Sequence, residues 1–576
     1  MEKRVLIAVL LSFVVLYGYQ TFLAPPEPQR AAATSASKKP APGGVSAPAQ
    51  TGAAASTTAQ TRPTAPAAAA RIPVTPGRDV VVDSPVVHAV FTTTAGALKS
   101  WTLKRYPGTD GRPLDLVPQT VPPGTVRPFT LAVDDPAMSR VLAQATFEPN
   151  TTALTVASGT PELRFEYHDS SGIVATKTLR FSAAHPYVVA FSATVTKDGK
   201  ALNPTVLWGP GLGTGIVAHT RTYNPSPEPL FYRGGKVTRI TTSKIKGEQD
   251  EEGAFGFAGV DDHYFAALAL NPGQVHLEYR PLTMPVPGVT DGAHFVEWSA
   301  KFAAPPQAVR FFIGPKDFDV LASIDRDLVR AIDFGIFSWL VVPLLRALKW
   351  INASVGNYGW SLIILTVLIN LVMFPLRHKS VVSMRKMQEI QPEVKAIQER
   401  YAKLKMSDPA KQKMNVELMN LYRERGVNPA SGCVPMLLTF PVLYAVYALL
   451  EVAIELRGAP FVWWIHDLSA PDPLFITPIL MGITQLAQQK MVPAAADPTQ
   501  QKMMLFMPII FTGMFLWAPS GLVIYWTMTN LWGIGQQMIT NRLIGAPIVR
   551  NPRPPAERRV KPVGRGRTDQ ATKERS

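Results

Sequence analysis

Two sets of polar residues in this chain have types and spacings that could do chemistry. The first is His219 and His263, with Glu228 and Asp261-Asp262 nearby in sequence. Imidazole beside carboxylate is what general acid–base work on a sugar would use. Isolated histidines in a large β-rich region are far more often structural or simply exposed, and that is the reading taken here. No GxSxG, HExxH, GxxxxGK or dinucleotide fingerprint occurs, and Cys433 is the only cysteine, so neither a disulfide within the chain nor a cysteine zinc cluster can form. The expectation is a protein that is not an enzyme and uses no cofactor or metal.

The second set lies inside apolar runs. Thr366, Asn370, Met373 and Arg377 fall at i, i+4, i+7 and i+11, one face of a helix, with Asn370 near mid-span and Arg377 toward the cytoplasmic interface. Tyr525, Thr529, Gly533 and Gln536 repeat a similar spacing in the last run, flanked by Trp526 and Asn530. Thr439 marks one intervening run, and Gln485 and Gln488 another. An amide in mid-membrane is costly unless hydrogen-bonded, so these side chains face a neighbouring helix or water. Two readings stay open. Each residue is interhelical glue worth about 0.6 kcal/mol per bond, or together they line a shared hydrated hollow.

The elements that must position these faces follow from hydropathy and charge. Glu2-Lys3-Arg4 precede the apolar run Val5 to Leu23, which spans about 28 Å as a helix. Residues 1–24 read as an uncleaved membrane anchor, because Pro25 after Ala24 suits signal peptidase poorly. Residues 25–71 are an Ala/Pro-rich disordered linker. Residues 72–325 hold short β-rich runs such as Val86 to Thr92, Leu163 to Tyr167, Thr176 to Phe181 and Val188 to Val195, separated by turns such as Asp169-Ser170-Ser171-Gly172. They imply one large antiparallel β-sandwich outside the cytoplasm. Residues 326–357 carry an interfacial amphipathic helix in which Pro343 makes a kink and Arg346 and Lys349 snorkel toward water. Residues 358–376 form a second membrane span, 377–432 a cytoplasmic helical hairpin, 433–541 four further spans, and 542–576 a basic cytoplasmic tail. The fold class is therefore multi-domain: a six-span helical membrane bundle, a large all-β domain and a helical hairpin.

Charge placement supports this orientation. The formal net charge is +16, and its basic residues concentrate between Arg377 and Gly432 and after Asn541. The loop Arg457 to Pro473 has one basic residue and the turn at Pro519 none. Six spans from a cytoplasmic N-terminus put both basic regions inside and the β domain outside. In the hairpin, Met384, Met387, Gln391, Val394, Ile397 and Tyr401 keep near-heptad spacing, answered by Met414, Leu418 and Leu421. A plain antiparallel coiled coil accounts for that stripe; its methionines would also suit transient contact with varied apolar segments, which makes Met384, Met387 and Met414 candidate client contacts. The tail's charge suits anionic lipid or ribosomal RNA, or topology alone.

Several motifs together resemble the YidC/Oxa/Alb family of membrane insertases: Asn428-Pro429-Ala430-Ser431-Gly432-Cys433-Val434-Pro435, Trp464-Ile465-His466-Asp467-Leu468-Ser469 with Pro471-Asp472-Pro473, Pro478-Ile479-Leu480-Met481-Gly482, and Pro519-Ser520-Gly521-Leu522-Val523. The match runs from about Phe334 to Leu543, and the outer domain resembles the periplasmic β-supersandwich of the Gram-negative bacterial branch. The resemblance implies an inner-membrane insertase and chaperone that works alone or with the Sec translocon and receives ribosome-bound nascent membrane proteins. It implies a groove open to cytoplasm and lipid, here lined by Thr366, Asn370, Met373, Arg377, Thr439, Tyr525, Trp526, Thr529 and Gln536. Bacterial members carry an arginine at the position of Asn370, and paired tyrosines where this chain has Tyr525-Trp526. The nearest basic residue on that face is Arg377, about 10 Å along the helix axis, so hydration by Asn370, Thr366 and Thr439 is the expected substitute for a mid-groove charge. The alternative function is a solute transporter or channel with a periplasmic receptor domain, but the internal repeats such proteins show are not found in the sequence.

Overall fold

A computed structural model describes residues 77–108, 111–119, 121, 124–212, 227–284, 293–401, 409–427, 434–491 and 498–544. The expected anchor, linker and most of the basic tail, together with His219 and Asn428 to Cys433, lie outside the described residues.

The β region forms two sheets, five-stranded and, among the described residues, thirteen-stranded. Alternation decides which side chains go inward. Strand Ile173–Phe181 buries Ile173, Ala175, Lys177, Leu179 and Phe181 in strict succession. Its hairpin partner Glu162–His168 is held in register by a turn in which Asp169 Oδ1 accepts from the Ser171 and Ile173 amides, while Gly172 takes φ 83°. Strand Phe265–Met284 pairs with Val309–Pro315 over its first part and with Ala293–Phe302 over its second, so one long strand serves two neighbours. Almost every pairing is antiparallel; the exception is Asp79–Asp83 beside Ala153–Thr155. The two sheets meet where Trp101 Nε1 donates to the Ile313 carbonyl at 3.0 Å, over a core in which Trp208 stacks on Phe311 with ring centroids 5.5 Å apart.

One buried cation braces this core. Lys177 is fully buried, and its Nζ donates to the carbonyls of Ala95, Gly96 and Phe129. Ala95 and Phe129 are non-glycine residues at positive φ, 56° and 68°, so the ammonium secures a strained corner. Burial pushes its pKa down to about 7. A lysine charged in the unfolded chain up to about pH 10 but neutral above about 7 when folded loses a penalty as pH rises through that window. The β-domain transition of the full chain is therefore expected to be more stable at pH 9 than at pH 6.5. Lys177→Met should flatten that dependence. It should also lower stability at pH 9 by about 2 kcal/mol, since the orphaned carbonyls outweigh the relieved burial; thermal melts at the two pH values check both.

The described helices relevant to the membrane region are α1 (Phe318–Ile324), α2 (Ser338–Val355), α3 (Tyr358–Glu389), α4 (Gln391–Arg400), α5 (Pro409–Glu424), α6 (Val434–Val452), α7 (Ile476–Met491), α8 (Pro498–Phe515) and α9 (Ser520–Ile544). By length and composition alone, Gly335–Val355 and Tyr358–Ser383 are long and apolar enough to cross a membrane. Helix α3 runs unbroken past Leu376, so the expected division at 376/377 is not a structural break: span and first hairpin arm are one helix. Beyond it, α4 and α5 are bridged by Arg400–Glu417 at 2.9 Å and by Arg425–Glu393 at 2.7 Å.

The amphipathic helix departs from expectation. In α2 the apolar stripe Val341, Leu345, Leu348 and Ile351 is buried against protein. Lys349 does not snorkel: its ammonium lies among Asp317, Asp319 and Glu455, 3.7 Å from the first and 3.1 Å from the last. Arg346 sits over the Phe318 ring, 5.3 Å from its centroid. The carboxylates that capture Lys349 come from segments far apart in sequence, which helical periodicity cannot reveal. This cluster ties the β domain to the helical region. So does His263, whose Nε2 bonds the Glu451 carbonyl at 2.6 Å.

Candidate functional site

The polar faces converge on one hollow. Helix α3 contributes Asn370, Met373 and Arg377, and α9 contributes Tyr525, Trp526, Thr529 and Asn530. Val442 and Leu443 of α6 and Gln485 and Gln488 of α7 complete the wall of a cavity of about 240 Å³. Both glutamines and Asn530 stand out in the sequence as polar residues of apolar runs; their place beside the α3 face becomes apparent only when the helices are packed.

Within it, α3 carries a ladder of side-chain hydrogen bonds. Thr366 Oγ1 donates to the Leu362 carbonyl at 2.7 Å, and Asn370 Nδ2 to the Thr366 carbonyl at 2.8 Å. Arg377 Nη1 then donates to Asn370 Oδ1 at 2.8 Å. The expectation that Arg377 stays at the cytoplasmic interface, a helix rise of some 10 Å from Asn370, is thus corrected. Helical side chains lean toward the N-terminus, and the arginine stem is long enough to carry the guanidinium back across that distance. Asn370 and Thr366 are both nearly fully buried, and Asn370 anchors the cation instead of standing alone as a hydrating amide.

The remaining expected residues divide. Thr366 lies a turn from the hollow but does not line it. Gln536 is two turns beyond Thr529; it is buried, and its Nε2 has no protein partner. The Thr439 and Met384 side chains lie outside those described; Met387 and Met414 are half-buried on the hairpin. Asn530 acts as interhelical glue, reaching the Met481 carbonyl and Thr484 Oγ1 at 3.3 Å each. Gln485 Oε1, in the wall of the hollow, is buried with no hydrogen-bond partner among the described residues, as are Gln536 Nε2 and Thr540 Oγ1 further along α9.

Away from the hollow, two of the sequence motifs are hydrogen-bonded to each other. Asp472, about 1% exposed, accepts from Trp464 Nε1 at 3.0 Å and from the Leu474 amide at 2.9 Å. It also accepts from the Thr477 amide at 2.7 Å and the Thr477 hydroxyl at 2.8 Å, fixing the entry to α7. The Ser520 amide and hydroxyl donate to the Ala470 carbonyl, and the Gly521 amide to the Leu468 carbonyl at 2.8 Å. A Cβ at Gly521 would stand 3.2 Å from that carbonyl, which is why glycine occupies the position.

The supposed acid–base set is structural where it is described. Asp261 is buried and paired with Lys316 at 2.8 Å and Arg239 at 3.2 Å, and burial lowers the His263 pKa.

A polar hollow walled by apolar helices, with a large β domain attached to them, defines a helical membrane protein with an appended β-rich domain. Residues 79–347 match the family described as YidC periplasmic domain, and residues 350–546 the one described as 60Kd inner membrane protein. The chain is 34% identical over 562 residues to the membrane protein insertase YidC of Geobacter metallireducens, covering 95% of this chain and 99% of that one. It is 36% identical over 561 residues to the insertase of the same name from Oleidesulfovibrio alaskensis, with coverage of 93% and 98%. A crystal structure of an active YidC insertase with its first transmembrane domain resolved aligns with 81% of this chain and 95% of that one, at 16% identity and a TM-score of 0.33. The chain belongs to the YidC family; it is an inner-membrane protein with a periplasmic β-rich domain.

Proposed function

We propose that this chain inserts and helps fold other membrane proteins in the inner membrane, using the hollow of α3, α6, α7 and α9 as a half-channel open to cytoplasm and lipid. Both termini and the α4–α5 hairpin are cytoplasmic, with six spans in all, an arrangement supported by the charge distribution. The observation that carries the reading is the Arg377 guanidinium held on Asn370 inside a polar hollow walled by apolar helices. A wet half-channel shortens the distance over which a client's polar tail must be desolvated. Burial of the client's apolar segment in lipid then drives completion without nucleotide hydrolysis. The Sec translocon, the ribosome and anionic lipids are proposed partners, the last two through the basic tail and all three on the strength of the family resemblance. The relatives' names give no support to a transporter.

A photo-crosslinking amino acid at Trp526 is expected to capture a ribosome-stalled client, its apolar segment moving from Trp526 to the lipid-exposed Val372 as the stall is lengthened. Capture at Val372 alone, at every length, would refute the hollow as the path.

A further inference from the structure

A second and larger cavity, about 500 Å³, lies where the β domain meets the helices, away from the hollow described above. We infer that it holds one acyl chain of an outer-leaflet phospholipid, with the glycerol end of that lipid beside His263 and Ser469.

Three features carry the inference. The first is polarity. The walls are apolar, formed by Leu450 of α6, Phe515 of α8 and Leu522 of α9, all buried, together with Pro519 of the α8–α9 turn. The polar residues His263, Tyr264, Glu451 and Ser469 come from the β domain, the end of α6 and the loop after it. That is the pattern of an amphiphile: an apolar slot with polar groups contributed from the side of the water-exposed domain. The second is access. Met514 of α8, Tyr447 of α6 and Trp517 of the α8–α9 turn flank the cavity and are 59%, 45% and 45% exposed on the membrane bundle, so the molecules meeting this surface are lipids. Aromatic side chains at that level are what the membrane–water boundary favours. The third is size. The volume falls in the range of small-molecule sites, about 300–1,000 Å³.

The polar end is already braced. His263 Nε2 bonds the Glu451 carbonyl, and the Ser469 hydroxyl donates to Asp467 Oδ1. A lipid there would fill the joint between the β domain and the bundle, adding apolar contact that protein atoms do not supply. The proposal is independent of client insertion; it rests on the membrane placement of α6, α8 and α9.

Native mass spectrometry of the full chain, purified in mild detergent, tests it. One phospholipid is expected to remain bound through detergent exchange. Ala518→Phe, placing a ring at the cavity, and Leu450→Trp, filling its floor, should each reduce that occupancy at least five-fold. A photo-crosslinking amino acid at Met514 should yield a saturable lipid adduct. Absence of any retained lipid on the unmodified chain would overturn the proposal, whatever the variants do. So would a fatty acid in place of a phospholipid, a crosslink from Met514 to residues 1–24, or retention unchanged in both variants.

Discussion

Asp472→Ala is expected to destabilise the helical domain by about 4 kcal/mol and to loosen the contact between its loop and the start of α9. The carboxylate is almost wholly buried and accepts from four donors: Trp464 Nε1, the Leu474 amide, and the amide and hydroxyl of Thr477. Hydrogen bonds to a charged group contribute about 1.5–3 kcal/mol each. Alanine removes all four and leaves the half-buried indole N–H without this acceptor. The damage should spread, because the loop that Asp472 organises also supplies the Leu468 and Ala470 carbonyls that receive Gly521 and Ser520. A thermal melt of the purified chain and the accessibility of a cysteine at Ser520 to a membrane-impermeant maleimide, after Cys433→Ser, measure the two effects. Asp472→Asn keeps the acceptor oxygen for Trp464 but loses the charge facing the start of α7, and should recover about half of the lost stability. An Asp472→Ala variant as stable as the parent, with position 520 equally protected, would show that the loop contact does not depend on this residue.

The contrast between what could and could not be read from the sequence has a physical basis. Strand runs such as Thr176 to Phe181 and Val188 to Val195 were legible because β-branched and aromatic residues cluster between turn signals; in the fold, burial alternates strictly along Ile173–Phe181 and from Val189 to Val195 in the next strand. The α3 polar face was legible because i, i+4 and i+7 share one side of any helix. Distance along a helix axis misled in one respect: it counts Cα positions, while a long side chain that leans toward the N-terminus erases more than a turn. Lys349 illustrates the other limit. Its three carboxylates belong to α1, its N-terminal cap and the segment after α6, a meeting set by tertiary packing and not by any local pattern. Asp472 sits in a loop without periodicity, where the motif marked its importance but not its four donors.

The contact between Arg377 and Asn370 leads to the second large effect, on clients whose translocated tail is acidic. At an effective dielectric of 20, opposite charges 4 Å apart attract by about 4 kcal/mol, so even a screened fraction of that matters for a tail that must leave bulk water. Arg377→Gln is expected to slow insertion of a client with two or more acidic tail residues about ten-fold, a barrier change of about 1.4 kcal/mol. An otherwise identical client with a neutral tail should slow less than two-fold. Asn370→Leu keeps the charge but removes its anchor at Oδ1, leaving the guanidinium free to move toward the cytoplasm, and should give an intermediate defect. The decisive variant moves the charge: Asn370→Arg combined with Arg377→Leu places a guanidinium in the hollow directly and should restore insertion of the acidic client. Protease protection of the client tail, in cells depleted of their own insertase and supplied with each variant, gives all four results. Equal slowing of acidic and neutral clients by Arg377→Gln would mean that the arginine braces the helix and does not attract the tail. Failure of the charge-moved variant, with its stability intact, would mean that the hollow depends on the amide at position 370 and not on where the cation lies.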